Sequence, residues 1–131
     1  MHPNQRKGSA SEYRAAAYFS EHGWEIFWPP TGSSPCDFVM VKEKQTQRVQ
    51  VKTATSWTKG PSTYLRVKLG GRNTYKEGDF DLLGVVGPDS RIWVIPFDKL
   101  PDRTMIYLEK HSGPQKRDYG WNEYEVTHGE S

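Results

Sequence analysis

Cysteine occurs once in the 131 residues, at Cys36. A single thiol excludes an internal disulfide and a zinc site built from cysteines, and it fits a reducing compartment. A long apolar run is also missing, since nothing approaches the roughly 18 to 20 apolar residues that span a bilayer. The N-terminus, Met1 to Lys7, is polar with no apolar stretch behind it, so no secretory signal is expected. These absences predict a soluble protein with no membrane contact, cytoplasmic, nucleoid-associated or inside an infected host cell. The four histidines, His2, His22, His111 and His128, lack ligand spacing, and no internal repeat is visible. The length suits one domain with a real core and is too short for two ordinary ones.

Negative charge is missing from one segment altogether. Between Lys44 and Lys76 stand eight basic residues (Lys44, Arg48, Lys52, Lys59, Arg66, Lys68, Arg72 and Lys76) and no Asp or Glu. Ten of the 18 basic residues lie elsewhere, against all 16 acidic ones, so a segment of +8 sits inside a remainder of −6. The overall charge of +2 conceals this division. Such a block is the footprint expected for a polyanion such as nucleic acid.

The order of elements is legible from punctuation and period. Ser9 and Glu12 stand at capping-box spacing before the Ala-rich run Tyr13 to Ser20, and Gly23 supplies a stop, which predicts a helix over residues 9–22. Trp24, Ile26 and Trp28 alternate as in a strand buried on one face, ended by Pro29 and Pro30. Strands are expected over residues 36–42 and 48–54, joined by a polar turn, then over 64–69, 80–86, 91–96 and 104–108. Residues 70–73 read as a loop, Gly87 to Ser90 as a turn between antiparallel strands, and residues 97–100 as one helical turn. One helix followed by hairpins predicts an α/β or α+β layer. Trp24, Trp28 and Trp93, placed in strands, are expected in the core.

The chemistry concentrates on the hairpin. With its turn centred near Lys44 and Gln45, Asp37 would lie across from Lys52, and Val39 across from Gln50. Gln50 and Lys52 share one face, while Val49 and Val51 turn to the other. A carboxylate, an amide oxygen and an ammonium together suit a divalent cation with a phosphate and a water beside it. Asp37 can hold the metal, and the side-chain carbonyl of Gln50 and backbone carbonyl of Val51 are hard oxygen ligands that suit magnesium. Lys52 can orient water and stabilise the charge that builds in the transition state. Glu12, on the helix, can complete the site or simply belong to the capping box.

The run Lys7-Gly8, Glu12, Gly32-Ser33, Pro35-Cys36-Asp37 and Gln50-Val51-Lys52 resembles the PD-(D/E)XK nuclease core, in which a helical Glu, a strand Asp and an (E/Q)-x-K tripeptide form the catalytic centre. Its order and spacing are similar to two branches, archaeal-type Holliday-junction resolvases and small homing endonucleases of group I introns. Gln50, the segment Gly78 to Val86 and Trp93-Val94-Ile95-Pro96 resemble the intron-encoded branch more closely. The resemblance covers roughly residues 7–108. It implies an α/β fold of the restriction-endonuclease-like type, a mixed β-sheet with an N-terminal catalytic helix, as a nuclease domain over 1–108. Residues 109–131 would form a polar tail, docked through Trp121 and Tyr124.

The resemblance further implies a Mg²⁺-dependent endodeoxyribonuclease, with Mn²⁺ able to substitute, acting on double-stranded or branched DNA. Glu12, Asp37, Gln50 and Lys52 would be catalytic, and Asp37, Gln50, Val51 and Glu12 would hold the metal. Cutting two strands calls for two symmetry-related sites, hence a homodimer or homotetramer. Ser33, Ser34, Lys59, Arg66, Lys68, Arg72 and Lys76 are assigned to DNA phosphates. Trp57, in an expected loop after the catalytic strand, is assigned to DNA or to another subunit. Arg14 is expected to face solvent, and Asp81 to make a structural hydrogen bond. Two departures stand beside the resemblance. Asp37 follows Cys36 and not the proline directly, and Gln50 replaces the commoner acid, which lowers the negative charge at the metal. A site-specific homing enzyme is the favoured reading, with a junction resolvase, an inactive DNA-binding module and an RNA-processing nuclease as alternatives.

Overall fold

The computed structural model describes residues 3–30, 35–69, 76, 78–112 and 117–126, with residues 3–9, 111, 112, 117 and 118 as backbone only. Helix α1 spans Pro3–Glu21. It starts six residues before Ser9, whose backbone is helical, so the expected capping box does not form: an N-cap residue must itself be non-helical. Ser11, Ala15, Ala16 and Phe19 are buried at helical spacing along one face, and the small alanines let the helix lie close on the sheet. The C-terminus closes as expected. Gly23, at φ 94°, donates to the Ser20 carbonyl, and Trp24 donates to Phe19. This is a Schellman arrangement, in which glycine takes the left-handed position without strain. Lys42 donates from Nζ to the His22 carbonyl at 2.8 Å, a cation where the helix dipole is negative.

Among the described residues eight strands follow: β1 Glu25–Phe27, β2 Phe38–Lys42, β3 Gln45–Lys59, β4 Ser62–Lys68, β5 Leu82–Val86, β6 Ile92–Pro96, β7 Met105–Ser112 and β8 Arg117–Asp118. The central sheet runs β1, β2, β3, β5, β6, with β3 and β5 parallel and the other neighbours antiparallel. The expected antiparallel pairing of residues 80–86 with 91–96 is the β5–β6 pair. β3 extends well beyond the expected 48–54. Its first half belongs to the central sheet, and residues 54–59 pair with β4, which in turn pairs with β7.

That extension creates the second layer. The apolar residues of one sheet face, Phe38, Met40, Val49 and Val51, meet Ala15, Ala16 and Phe19 of α1. On the opposite face Leu83, Val85, Trp93 and Ile95 meet Leu65, Val67, Ile106 and Leu108 of β4 and β7. Strand alternation therefore serves two cores at once. Each large side chain fully buried in either contributes about 1.5–3 kcal/mol. Trp93 is 1% exposed, but Trp28 is 45% exposed and sits at the rim of the core where alternation had placed it, edge-on to Tyr13 and tilted against the buried Phe38. Trp28 lies past the end of β1, so strand alternation no longer governs it.

β7 continues past residue 108, where the domain was expected to end, to Ser112. Trp121 and Tyr124 are partly buried against the second core. Arg91 clamps this return, donating from Nε and Nη2 to Glu125 at 2.9 Å each and from Nη1 to Glu109 at 2.6 Å. Gly87 lies flat under Trp93, where a Cβ would come within 2.9 Å of the ring. Among the described residues no helix is long and apolar enough to cross a membrane.

Candidate active site

The turn of the β2–β3 hairpin falls on Glu43 and Lys44, with Glu43 at φ 58°. Phe38 therefore pairs with Val49 and Val39 with Arg48. The expected register, Asp37 opposite Lys52 and Val39 opposite Gln50, is wrong by two residues. A two-residue shift preserves which face each side chain takes. Asp37, one step beyond the last pair, thus stands beside Gln50, with Lys52 two residues further along the same face.

Asp37 is fixed by an unusual use of its carboxylate. Its own N–H donates to the Val49 carbonyl at 2.8 Å, and its Oδ2 accepts the Val51 N–H at 2.7 Å. The side chain replaces the carbonyl that a longer β2 would have offered, so the carboxylate is locked to the backbone of the strand that carries Gln50 and Lys52. Because a residue in extended backbone sends its N–H and C=O to the same edge, the Val51 carbonyl also faces the edge that Asp37 occupies.

Electrostatics ties the helix to this edge. Burial pushes the Asp37 carboxyl above its ordinary range, and the Val51 N–H and Lys52 charge offset this only in part. Glu12 is likewise raised, by burial first and by the Asp37 charge second. Two carboxylates that burden one another in a partly dry pocket form a site that a cation relieves. Ser11, beside Glu12, shares a 2.5 Å hydrogen bond with Thr53, beside Lys52, bracing the helix against β3. Among the described residues no three His, Cys, Asp or Glu gather as a metal cluster. The donors on offer are two carboxylates with the neutral oxygens of Gln50 and Val51, all hard, and this set suits a magnesium-like ion better than a soft one.

Arg48 and Asp81 hold the sheet beneath. Asp81 accepts the Arg48 backbone N–H at 2.8 Å and guanidinium bonds at 3.1 and 3.2 Å, the structural role expected of it. Arg48, one of the eight cations of the basic block, is thereby neutralised. Lys59 ends β3, and Arg66 and Lys68 lie on β4. Lys68 is exposed, as is Lys76, whose backbone N–H caps Asp79 at 2.8 Å. Ser33, Ser34 and Arg72 lie outside the described residues.

Trp57 is not in a loop. It sits within β3 opposite Tyr64, packs against Tyr64 and Tyr107, and carries the Arg66 guanidinium 4.4 Å above its ring. The Ser11–Thr53 brace escaped sequence reasoning, because a contact 42 residues apart between two small hydroxyls leaves no local pattern. Burial of Ser11 on the alanine face was its one available signal.

Residues 1–124 match a family model described as PD-(D/E)XK endonuclease. Protein 5.3 of Escherichia phage T7 is 33% identical over 114 residues, which cover 86% of this chain and 96% of that protein. The fold is similar to that of a bacterial homing endonuclease, I-Ssp6803I, with a TM-score of 0.77 at 20% identity over 95% of this chain and 89% of that one.

Proposed function

Because the chain belongs to the PD-(D/E)XK endonuclease family, a nuclease family acting on DNA, we propose that it is a divalent-metal-dependent endonuclease with Glu12, Asp37, Gln50 and Lys52 as its working residues. The observation that carries this reading is the Asp37 carboxylate, held by the Val51 N–H beside Gln50 and within the electrostatic reach of Lys52 and Glu12. Asp37, Glu12, the Gln50 side-chain carbonyl and the Val51 backbone carbonyl would hold Mg²⁺, or Mn²⁺ in its place. When bound, such an ion neutralises charge on the phosphodiester and makes water more acidic. Lys52 orients the attacking water and stabilises the negative charge that accumulates on the non-bridging oxygens. Gln50, neutral where an acid is commoner, leaves the ion more of its charge to spend on the phosphate, at some loss of affinity.

The likeness to a homing endonuclease supports a site-specific enzyme. The relative in phage T7 supports a place of action inside an infected cell. Lys59, Arg66, Lys68, Arg72 and Lys76, with Ser33 and Ser34, would contact backbone phosphates, and Trp57 would present Arg66 to them. Two copies related by a two-fold axis, or four, would supply one site for each strand cut.

The test is cleavage of supercoiled plasmid and of a synthetic four-way junction in Mg²⁺ by wild type, Asp37→Asn and Lys52→Ala. Discrete plasmid cutting that both substitutions abolish is the expected result. Cutting confined to the junction would instead make the protein a resolvase. Duplex binding with no cleavage of either substrate in Mg²⁺ or Mn²⁺ would leave a DNA-binding module.

A further inference from the structure

A cavity of about 310 Å³ opens between α1 and the second half of β3, lined by Ser11, Arg14, Thr53, Thr55 and Ser56, with residues 86–88 as its far wall. It lies on the helix side of β3, where Ser11 precedes Glu12 in α1 and Thr53 follows Lys52 in the strand. Among the described residues no carboxylate lines it. Arg14 is exposed and, among the described residues, has no ion-pair partner, so its charge is available. The bond between the Ser11 and Thr53 hydroxyls uses one of their two protons, and the other remains to be donated.

We propose that this cavity is a subsite for a DNA backbone phosphate flanking the active site, with Arg14 as its counter-charge and the hydroxyls of Ser11, Thr53, Thr55 and Ser56 as its hydrogen-bond donors. The proposal rests on the reading of the chain as a DNA endonuclease. A phosphodiester only accepts hydrogen bonds and carries one negative charge, which is the complement of a guanidinium and hydroxyls that line one cavity. Thr53 and Thr55 alternate with Lys52 along β3, so the cavity would take this phosphate on the helix-facing side of the strand that carries Lys52.

Binding of a fluorescent 30-base-pair duplex of arbitrary sequence, measured across a salt series without Mg²⁺, tests the subsite. Arg14→Gln should weaken binding and reduce the slope of log K against log salt by about 0.9, the value for one lost phosphate contact. Arg14→Lys should restore the slope, and Arg103→Gln, an exposed arginine away from the cavity, should leave it unchanged. Thr55→Val with Ser56→Ala should weaken binding and keep the slope. An Arg14→Gln slope equal to wild type, or one matched by Arg103→Gln, overturns the proposal. Plasmid cleavage by wild type in Mg²⁺ tests the nuclease reading separately. A wild type that never cuts, yet loses slope on Arg14→Gln, keeps the subsite and removes that reading. Cutting with an unchanged slope does the reverse, and a wild type that binds no duplex overturns both.

Discussion

Asp37 is costly to the empty fold and valuable to the loaded one. Its carboxyl and that of Glu12 are raised above their ordinary 3.8 and 4.5, so the folded state holds these protons more tightly than the unfolded chain. Their contribution to stability is therefore full below the ordinary values and is lost as pH rises through the folded ones. Asp37→Asn, which keeps an oxygen for the Val51 N–H, should raise the Tm of the metal-free protein at neutral pH. The gain should be at most about 1 kcal/mol, because both groups are partly open to solvent. It should vanish when melts are repeated near pH 3.5. Added Mg²⁺ should raise the wild-type Tm and leave the Asn variant unmoved, because only a ligand of the folded state stabilises it. The same protons compete with the metal, so the acid limb of activity should fall at a higher pH than ordinary carboxylates give, as a pH profile of plasmid nicking would show. Lys52→Ala should lower kcat by about 10²–10³, read in single-turnover cleavage. Sequence reasoning found these residues because their chemistry is written in their side chains. It missed the brace and the cavity, where serine, threonine and alanine carry no distinguishing chemistry until two distant elements meet.

Among elements, β3 carries most of the design. Its length was not legible, because Thr, Ser and Lys after Ala54 read as a loop until β4 supplies their partners. Hairpin register was misplaced for a local reason: Glu43 accepts a left-handed turn position, which moves the turn one residue earlier than Lys44 and Gln45. The faces survived this error, since a two-residue slip returns every side chain to its side. The C-terminal return depends on one cation. Arg91→Met takes from Glu125 and Glu109 the guanidinium that they share, and it should cost about 3 kcal/mol, seen in urea melts, together with faster proteolysis beyond residue 117. Gly87→Ala should cost about 1–3 kcal/mol through its clash with Trp93.

At the scale of the molecule, a single continuous sheet faces a helix on one side and its own curled extension on the other, so most strands are sandwiched. This two-sided burial explains why the apolar pattern of residues 82–86 is nearly unbroken, and why their place as inner strands was readable. If the working form is a two-fold assembly, linear plasmid should appear with little accumulation of nicked circles, and dilution below the dissociation constant of the dimer should convert the product to nicks. Sedimentation over the same concentrations would link the two. The bond from the Val51 amide to Asp37 has a consequence for descent. Because the acid completes the hydrogen bonding of the sheet, losing it for alanine would strand a partly buried N–H at about 1–3 kcal/mol. A lineage freed from selection for cutting would then tolerate asparagine at this position far longer than alanine, and the outline of the active site would outlast its activity.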